Sequence, residues 1–392
     1  MGDRVSNGVS FAGLGAVTGY GWGRDALWNG LMSGKPAARL CRIDEDGGDE
    51  TGWLARVPEG GNLEDGDGLF IRSYLSSCRE AIADARSRGW VPGKRVGVIR
   101  GTTFGDSYAF RDFYRSYSGS RREFVGSILT STAISMLMKE NDFHGPATEV
   151  SATCSTGLVA LLTAKMWIET GMADDVIVST TDLSFTPEIL AGFVNLGAAV
   201  IDEEPLAACR PFQSGSRGFS PGESAITFVM SNTVDTPYFQ LLGAAMTADG
   251  YHPTGMDTSF AMVKESVTTA LSSAGVDPSE IRYLNAHGTG TEQCTKAEVT
   301  VVDDIFGGDV DIYALKPLVG HCLTSAATIE IAGAALAQQH GKIPAAPAFS
   351  EHHPRLIDGP TDMKDGLTLK LSMGMGGYNT AAILGSRSKG KA

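Results

Sequence analysis

Three short runs carry residue types that do covalent chemistry. Glu149 to Leu162 reads E-V-S-A-T-C-S-T-G-L-V-A-L-L, small and β-branched residues ending at Cys154. Ser-Thr-Gly follows, then a long apolar stretch from Leu158 to Ile168 before Gly171. That order predicts a strand, a sharp turn and a helix, with a thiol at the turn. A thiol near a helix N-terminus is expected as thiolate, because unpaired N–H groups and the helix dipole stabilise negative charge. The same N–H groups can receive an oxyanion, so one turn would serve nucleophile and transition state. A buried structural cysteine is the competing reading, since free Cys is commonly buried.

The other two runs centre on histidines. Asn285 to Thr291 reads N-A-H-G-T-G-T, placing His287 in a glycine-threonine turn just after a short apolar strand. Lys316 to His321 reads K-P-L-V-G-H, again at a strand end and directly before a helix that opens with small residues. His144, His340, His352 and His353 fit ordinary surface or packing roles. Residues from several strand ends converge in α/β folds, so Cys154, His287 and His321 are expected to meet. A Cys with two His points to acyl-thioester chemistry: the thiolate attacks a thioester, and the imidazoles handle the charge and protons of a second reactant. A metal site is the competing use of these residues. No pair has the close spacing of zinc ligands, so no metal is expected.

The elements that must position them alternate. Strands are predicted at Val9–Val17, Arg95–Gly101, Asp175–Thr181, Ala225–Ser231, Gln240–Met246, Arg282–Ala286, Val310–Leu315, Leu367–Ser372 and Ala381–Leu384. Helices are predicted at Arg24–Met32, Leu75–Arg88, Ser127–Asn141, Ala261–Gly275 and Ser325–Gly341. Residues 41 to 68 are polar, acidic and glycine-rich and read as a solvated surface excursion. The class is α/β, with mostly parallel or mixed sheets covered by helices. Ser231 to Pro237 is the expected seam between two halves. Each half has a strand-turn-helix with a reactive residue at the turn, Cys154 in one and His321 in the other, which predicts an internal duplication.

Bulk properties narrow the partners. A chain of 392 residues with 42% hydrophobic and 20% charged residues is an ordinary globular composition. The formal charge of −13 argues against a nucleic-acid or anionic-membrane surface. No run approaches bilayer-spanning length and no secretory signal is read, so a cytoplasmic protein is expected. The six cysteines contain no C-x-x-C pair and read as reduced thiols.

Taken together, S-A-T-C-S-T-G, N-A-H-G-T-G-T, K-x-x-x-G-H and G-M-G-G-Y-N, in that order and at those separations, resemble the β-ketoacyl-acyl-carrier-protein synthases. These are condensing enzymes of the thiolase fold in fatty-acid and type II polyketide synthesis. G-L-G near the start, R-P-F (Arg210–Phe212), G-F-x-x-G-E (Gly218–Glu223) and D-G-Y-H-x-T (Asp249–Thr254) extend the likeness over essentially the whole chain. The resemblance implies duplicated βαβαβαββ halves in five α-β-α-β-α layers, divided as 1–234 and 235–392. It implies that Cys154 takes the acyl chain as a thioester. His287 and His321 would assist decarboxylation of a malonyl extender and steady the enolate. Lys316 and Glu330 would organise that site, with Glu298 and Asn379 in support. Backbone N–H groups of Cys154 and Met375 would form the oxyanion hole. Thr289, Thr291, Met373, Met375 and Tyr378 would line the path of the phosphopantetheine arm and acyl chain. It implies an acyl carrier protein as partner, a homodimer or a heterodimer with a chain-length-factor-like subunit, and no cofactor beyond the carrier's phosphopantetheine.

Several positions depart from that pattern. Thr153 stands where the family usually has Ala, Thr295 where an acidic residue precedes K-A-E, and Cys294 where a small residue is usual. G-A-A-G after the second histidine is T-S-A-A (Thr324–Ala327), and D-x-D-R-D-G-F is Q-S-G-S-R-G-F (Gln213–Phe219). Met373 and Met375 replace aromatic residues of the G-F-G-G-T-N loop, and Tyr378 replaces Thr. Met is the more flexible side chain, so a differently shaped acyl gate is expected. These departures point to a specialised, polyketide-type pathway. An acyltransferase or cyclase that keeps the acyl-cysteine without extending it is one alternative. A non-catalytic chain-length-factor-like subunit is another, but such subunits lack the cysteine.

Overall fold

The computed structural model describes residues 8–43, 49–116 and 129–386. Among these, ten principal strands build the molecule. β1 (Val9–Thr18), β2 (Val96–Gly101), β3 (Ala147–Val150), β4 (Asp175–Asp182) and β5 (Ser224–Ser231) form one sheet. β6 (Gln240–Ala248), β7 (Ile281–Asn285), β8 (Asp311–Tyr313), β9 (Leu367–Gly374) and β10 (Tyr378–Gly385) form the other. In space the first runs β1-β5-β4-β2-β3 and the second β6-β10-β9-β7-β8, the same order. Strand directions also repeat. First and fifth, and fifth and fourth, are antiparallel. Fourth and second, and second and third, are parallel. The two sheets join edge to edge into one continuous sheet where Val9 pairs with Leu241 and Ser10 with Gln240, and Phe11 extends the join to Tyr238 and Phe239.

The principal helices are α1 (Arg24–Met32), α2 (Leu69–Ser87), α3 (Ser107–Ser116), α4 (Ser131–Asn141), α5 (Thr156–Glu169), α6 (Pro187–Asn195), α7 (Ala261–Ala274), α8 (Glu292–Phe306) and α9 (Ala326–His340). α2 and α4 cover the outer face of the first sheet, α7 and α8 that of the second. α5 and α9 lie between the sheets, which completes the five α-β-α-β-α layers expected of a thiolase fold. Position explains composition. α2 buries Phe70, Tyr74, Leu75, Cys78, Ala81 and Ile82 on one stripe, as an outer helix must. Every residue of α9 from Ala326 to Ala337 is buried, and its many Ala residues let two sheets approach one helix.

α5 and α9 start alike. Each follows a tight 3₁₀ turn, Thr153–Ser155 or Leu323–Ser325, whose first residue has positive φ: +49° at Thr153 and +39° at Leu323. Ser155 Oγ donates to Tyr378 O at 2.9 Å, the first residue of β10, and Ser325 Oγ donates to Ser224 O at 3.1 Å, the first of β5. Each elbow is thus pinned to the fifth strand of the opposite repeat. The counterpart of Cys154 is therefore Thr324, and the expected equivalence of Cys154 with His321 is corrected.

Other expectations shift as well. Overlapping the start of the stretch read as a solvated excursion, Arg39–Arg42 and Thr51–Leu54 pair as an antiparallel ribbon. α2 begins at Leu69 rather than Leu75. α3, α6 and α8 were not expected, and residues 127–128 of the predicted Ser127–Asn141 helix lie outside the described residues. A one-turn helix, Lys316–Val319, separates β8 from His321, which is therefore not at the strand end itself. Among the described residues no helix is long and apolar enough to cross a membrane.

Candidate active site

Cys154, His287 and His321 come together in one cavity of about 330 Å³. All three are almost fully buried. The elbow at Thr153–Ser155 presents the thiol, the turn after β7 presents His287, and the turn after Lys316–Val319 presents His321. The imidazole centroids lie 5.7 Å apart with planes at 87°.

The tautomer of each ring follows from its neighbours. Leu323 N–H donates to His321 Nδ1 at 3.2 Å, so the proton of neutral His321 sits on Nε2. Lys316 Nζ lies 3.3 Å from His287 Nδ1 and also donates to the His287 carbonyl. Burial, the largest cause, works against the Lys316 charge, but Glu330 together with Cys294 and Glu298 raises the lysine on balance, so the ammonium donates and His287 too carries its proton on Nε2. Both imidazoles are held well below their ordinary range, first by burial and then by the Lys316 charge. Two neutral N–H donors facing a cavity can steady an oxygen that gains negative charge.

Beneath them lies a closed polar network. Glu330, on α9, accepts from Lys316 Nζ at 2.6 Å and from Lys370 Nζ at 2.5 Å. Lys370 also donates to Ala286 O at 3.0 Å, and Asn285 Nδ2 donates to Glu330 O at 2.9 Å. The Glu298 carboxylate accepts the N–H groups of His287 at 2.5 Å and Gly288 at 2.9 Å. Backbone and side chain of the His287 turn are thereby held from two helices, α8 and α9.

The thiol departs from expectation. Burial pushes Cys154 up to about 11, and the Lys316 charge and the Met375 N–H only partly offset it. Desolvation is the largest cause and favours the thiol over the thiolate in this buried elbow. The backbone N–H groups of Met375 and Cys154 are both close enough to the sulfur to favour its thiolate form.

The remaining expected residues divide. Thr289, Thr291, Met373, Met375 and Asn379 line the cavity, and Thr289 and Thr291 share a 2.9 Å hydroxyl contact. Asn379 Nδ2 donates to Asp249 Oδ1 at 2.6 Å. Lys316, Glu298 and Glu330 sit behind the wall. Tyr378 does not line the cavity; its carbonyl meets Ser155. Cys294 does line it, with Sγ 3.4 Å from Glu298 Oε2. Thr295 leaves Lys316 paired all the same, through Glu330.

Sequence reasoning missed Lys370, Phe193, Phe219, His252 and Gln293. Lys370 had a signal: a lone charge inside L-T-L-K-L-S, an otherwise buried strand, must find a counter-charge. Phe193 had none, since it reaches the cavity only through tertiary packing; Phe219 and His252 fall in the G-F-x-x-G-E and D-G-Y-H-x-T runs but were not assigned to the site. Asp182 was also missed; its buried carboxylate accepts the Thr324 N–H at 3.1 Å and so braces the second elbow.

A duplicated five-layer fold, with a buried thiol and two neutral imidazole donors in one cavity, is the arrangement a condensing acyltransferase needs. The chain belongs to the beta-ketoacyl synthase family: the model of its N-terminal domain matches residues 68–235, and that of its C-terminal domain matches 238–350. It is 27% identical to a tetracenomycin polyketide synthase ketoacyl synthase alpha subunit of Streptomyces glaucescens, over 96% of each chain. It is 26% identical to a 3-oxoacyl-[acyl-carrier-protein] synthase 2 of Coxiella burnetii, over 96% of this chain and 98% of that one. Its fold matches a type II polyketide ketosynthase solved with its acyl-carrier protein and bound to a hexaketide. There the TM-score is 0.86 at 23% identity, over 97% of this chain and 100% of that one. It also matches the ishigamide ketosynthase/chain length factor, with TM-score 0.84 at 24% identity over the same shares.

Proposed function

We propose that this chain catalyses decarboxylative Claisen condensation of an acyl group on Cys154 with malonyl-acyl carrier protein, in a specialised, polyketide-type pathway. The observation that carries the reading is the pair of neutral imidazoles, each with its proton on Nε2, sharing one cavity with the Cys154 thiol.

In the first half-reaction Cys154 Sγ attacks the carrier thioester, the Cys154 and Met375 N–H groups receive the oxyanion, and the thiol proton leaves with the carrier thiol. In the second, the malonyl C–C bond breaks and releases CO₂. Its electron pair becomes an enolate whose oxygen takes hydrogen bonds from His287 and His321. The enolate carbon then bonds to the acyl carbonyl and the C–S bond to Cys154 breaks. The departing thiolate takes up one proton, which balances the charge brought in by the malonyl carboxylate. Lys316, Lys370 and Glu330 keep both imidazoles neutral and oriented, with Glu298 and Asn379 in support. Thr289 and Thr291 accept the phosphopantetheine arm. Every charge that develops has a partner in the chain, so the reaction as proposed takes no cofactor beyond the carrier's phosphopantetheine.

The solved neighbours, one with its acyl-carrier protein and one a ketosynthase/chain length factor, support an acyl carrier protein as partner and pairing with a chain-length-factor-like subunit, with a homodimer as the other assembly. The matched strand order supports division at 1–234 and 235–392. Intact mass after incubation with an acyl-carrier thioester, for wild type and Cys154→Ala, tests the assignment. An adduct absent from the variant, and a β-ketoacyl product on adding malonyl carrier, are expected. An adduct that never extends malonyl would favour acyl transfer or ring closure. No adduct on any chain would favour a subunit that acts only beside a partner.

A further inference from the structure

The G-F-S-P-G-E run, Gly218–Glu223, gives only Phe219 to the cavity wall, yet it is built against His321. His321 N–H donates to Ser220 O at 2.7 Å, and Gly222 N–H donates to His321 O at 3.2 Å. The Phe219 ring meets the imidazole edge-to-face at 4.6 Å. Both backbones are so close that neither tolerates a side chain. A Cβ at Gly222 would fall 2.5 Å from Val319 O, and one at Gly320 (φ +77°) would fall 2.8 Å from Gly222 Cα.

The far side of the same run is clamped. Ala55 N–H donates to Pro221 O at 3.0 Å, and Glu223 N–H donates to Ala55 O at 2.9 Å. The Glu223 side chain closes the clamp: Oε2 accepts the Val57 N–H at 3.1 Å, and Oε1 pairs with Arg56 at 3.5 Å. Arg56 continues to Tyr108 Oη at 2.7 Å and Phe185 O at 3.3 Å. Glu223 itself is 3% exposed and faces a different cavity from Cys154.

We propose that Glu223 is a positioning residue for His321. Its carboxyl holds Ala55–Val57 against Pro221 and Gly222, and that ladder holds the peptide on both sides of His321. The His321 ring is fixed to its own backbone through the Leu323 N–H, so displacement of the peptide displaces Nε2 with it. Small displacements matter, because a misplacement of about 1 Å at a reacting group costs roughly 10²-fold in rate. The inference rests on the reading that His321 steadies the enolate.

The two half-reactions test it. In Glu223→Ala, β-ketoacyl formation from preformed acyl-enzyme is expected to fall roughly 10- to 100-fold. Acylation of Cys154, read by intact mass, should change less than about 3-fold, since among the described residues no hydrogen bond joins the Cys154 elbow to the clamp. Glu223→Gln, which keeps an oxygen for the Val57 N–H, should recover most of the loss. Arg56→Ala loosens the clamp from its exposed side and serves if Glu223→Ala does not fold; the same selective loss is expected. Adding Glu223→Ala to His321→Ala should cost nothing further in condensation. Equal loss in both half-reactions, or additivity with His321→Ala, would overturn the inference. If His321→Ala abolishes condensation while the Glu223 and Arg56 variants leave it intact, only the inference fails. If His321→Ala condenses normally, the functional reading fails with it.

Discussion

The hydroxyl of Thr153 donates to the backbone carbonyl of Met375 at 2.9 Å, across the interface of the two repeats. It ties the residue before the thiol to the loop whose Met375 N–H we propose as one donor of the oxyanion hole. Thr153 holds a φ of +49°, a conformation that costs a β-branched residue about 1–3 kcal/mol. The neighbouring Gly374 leaves room for its hydroxyl: a Cβ there would lie 2.3 Å from Thr153 Oγ1. Thr153→Ala removes one hydrogen bond, worth about 1 kcal/mol. The Cys154 acylation rate should fall roughly 5-fold, since Met375 N–H is then less firmly placed. Rapid-quench intact mass measures this, and an unchanged rate would remove Thr153 from the hole's support.

The Lys316–Glu330–Lys370 cluster makes a different prediction. Both lysines and the glutamate are at 0% exposure, and Glu330 is the carboxylate both ammonium groups share. Glu330→Gln leaves two buried cations beside one neutral amide. Breaking a buried pair this way costs about 3–5 kcal/mol. Urea denaturation should show a loss of that order. A double variant Glu330→Gln/Lys370→Met should regain part of it, because one unpaired charge is gone. A single variant as stable as wild type would mean the cluster is neutral in the folded protein.

Much of this was legible in order along the chain. Strand-turn-helix at Cys154 and the turns at His287 and His321 follow from hydrophobic patterning and glycine placement, which are local. The five-layer arrangement followed from the family motifs. What stayed hidden depends on distant partners. α8 carries E-Q-C-T-K-A-E at its start, and only packing of Ala297, Val301 and Val302 under the second sheet makes it a buried helix. Residues 51–57 look like part of a polar excursion, yet Leu54 and Val57 are buried and Arg56 meets Glu223. The depth of burial at Cys154, which pushes its thiol up, was hidden for the same reason, whereas its helix terminus is visible in sequence.

That burial predicts a pH profile. With the thiol pushed up to about 11, alkylation of Cys154 by iodoacetamide should be slow at neutral pH. The rate should climb about tenfold per pH unit past 9, levelling only near 11. A plateau at or below 9 would show that the thiolate forms more readily than burial allows. The imidazoles give the complementary expectation, being neutral throughout the physiological range. CO₂ release from malonyl carrier should then show no inflection near 6.5, where an ordinary histidine titrates.

Glu223 ties stability to pH. Burial raises its carboxyl from 4.5 to about 7, with Arg56 opposing the shift and Asp182 adding to it. Between those values the folded chain keeps a proton that the unfolded chain has released. Stability from this group is complete below about 4.5 and is lost as pH rises through about 7. The magnitude is on the order of 3 kcal/mol. Glu223→Gln carries no titrating group there, so its stability relative to wild type should rise across the same window. Urea unfolding of both proteins at pH 5 and pH 8 measures the difference. A difference that does not change between the two pH values would mean that Arg56 holds Glu223 ionised, and that the clamp on His321 is an ion pair at every working pH.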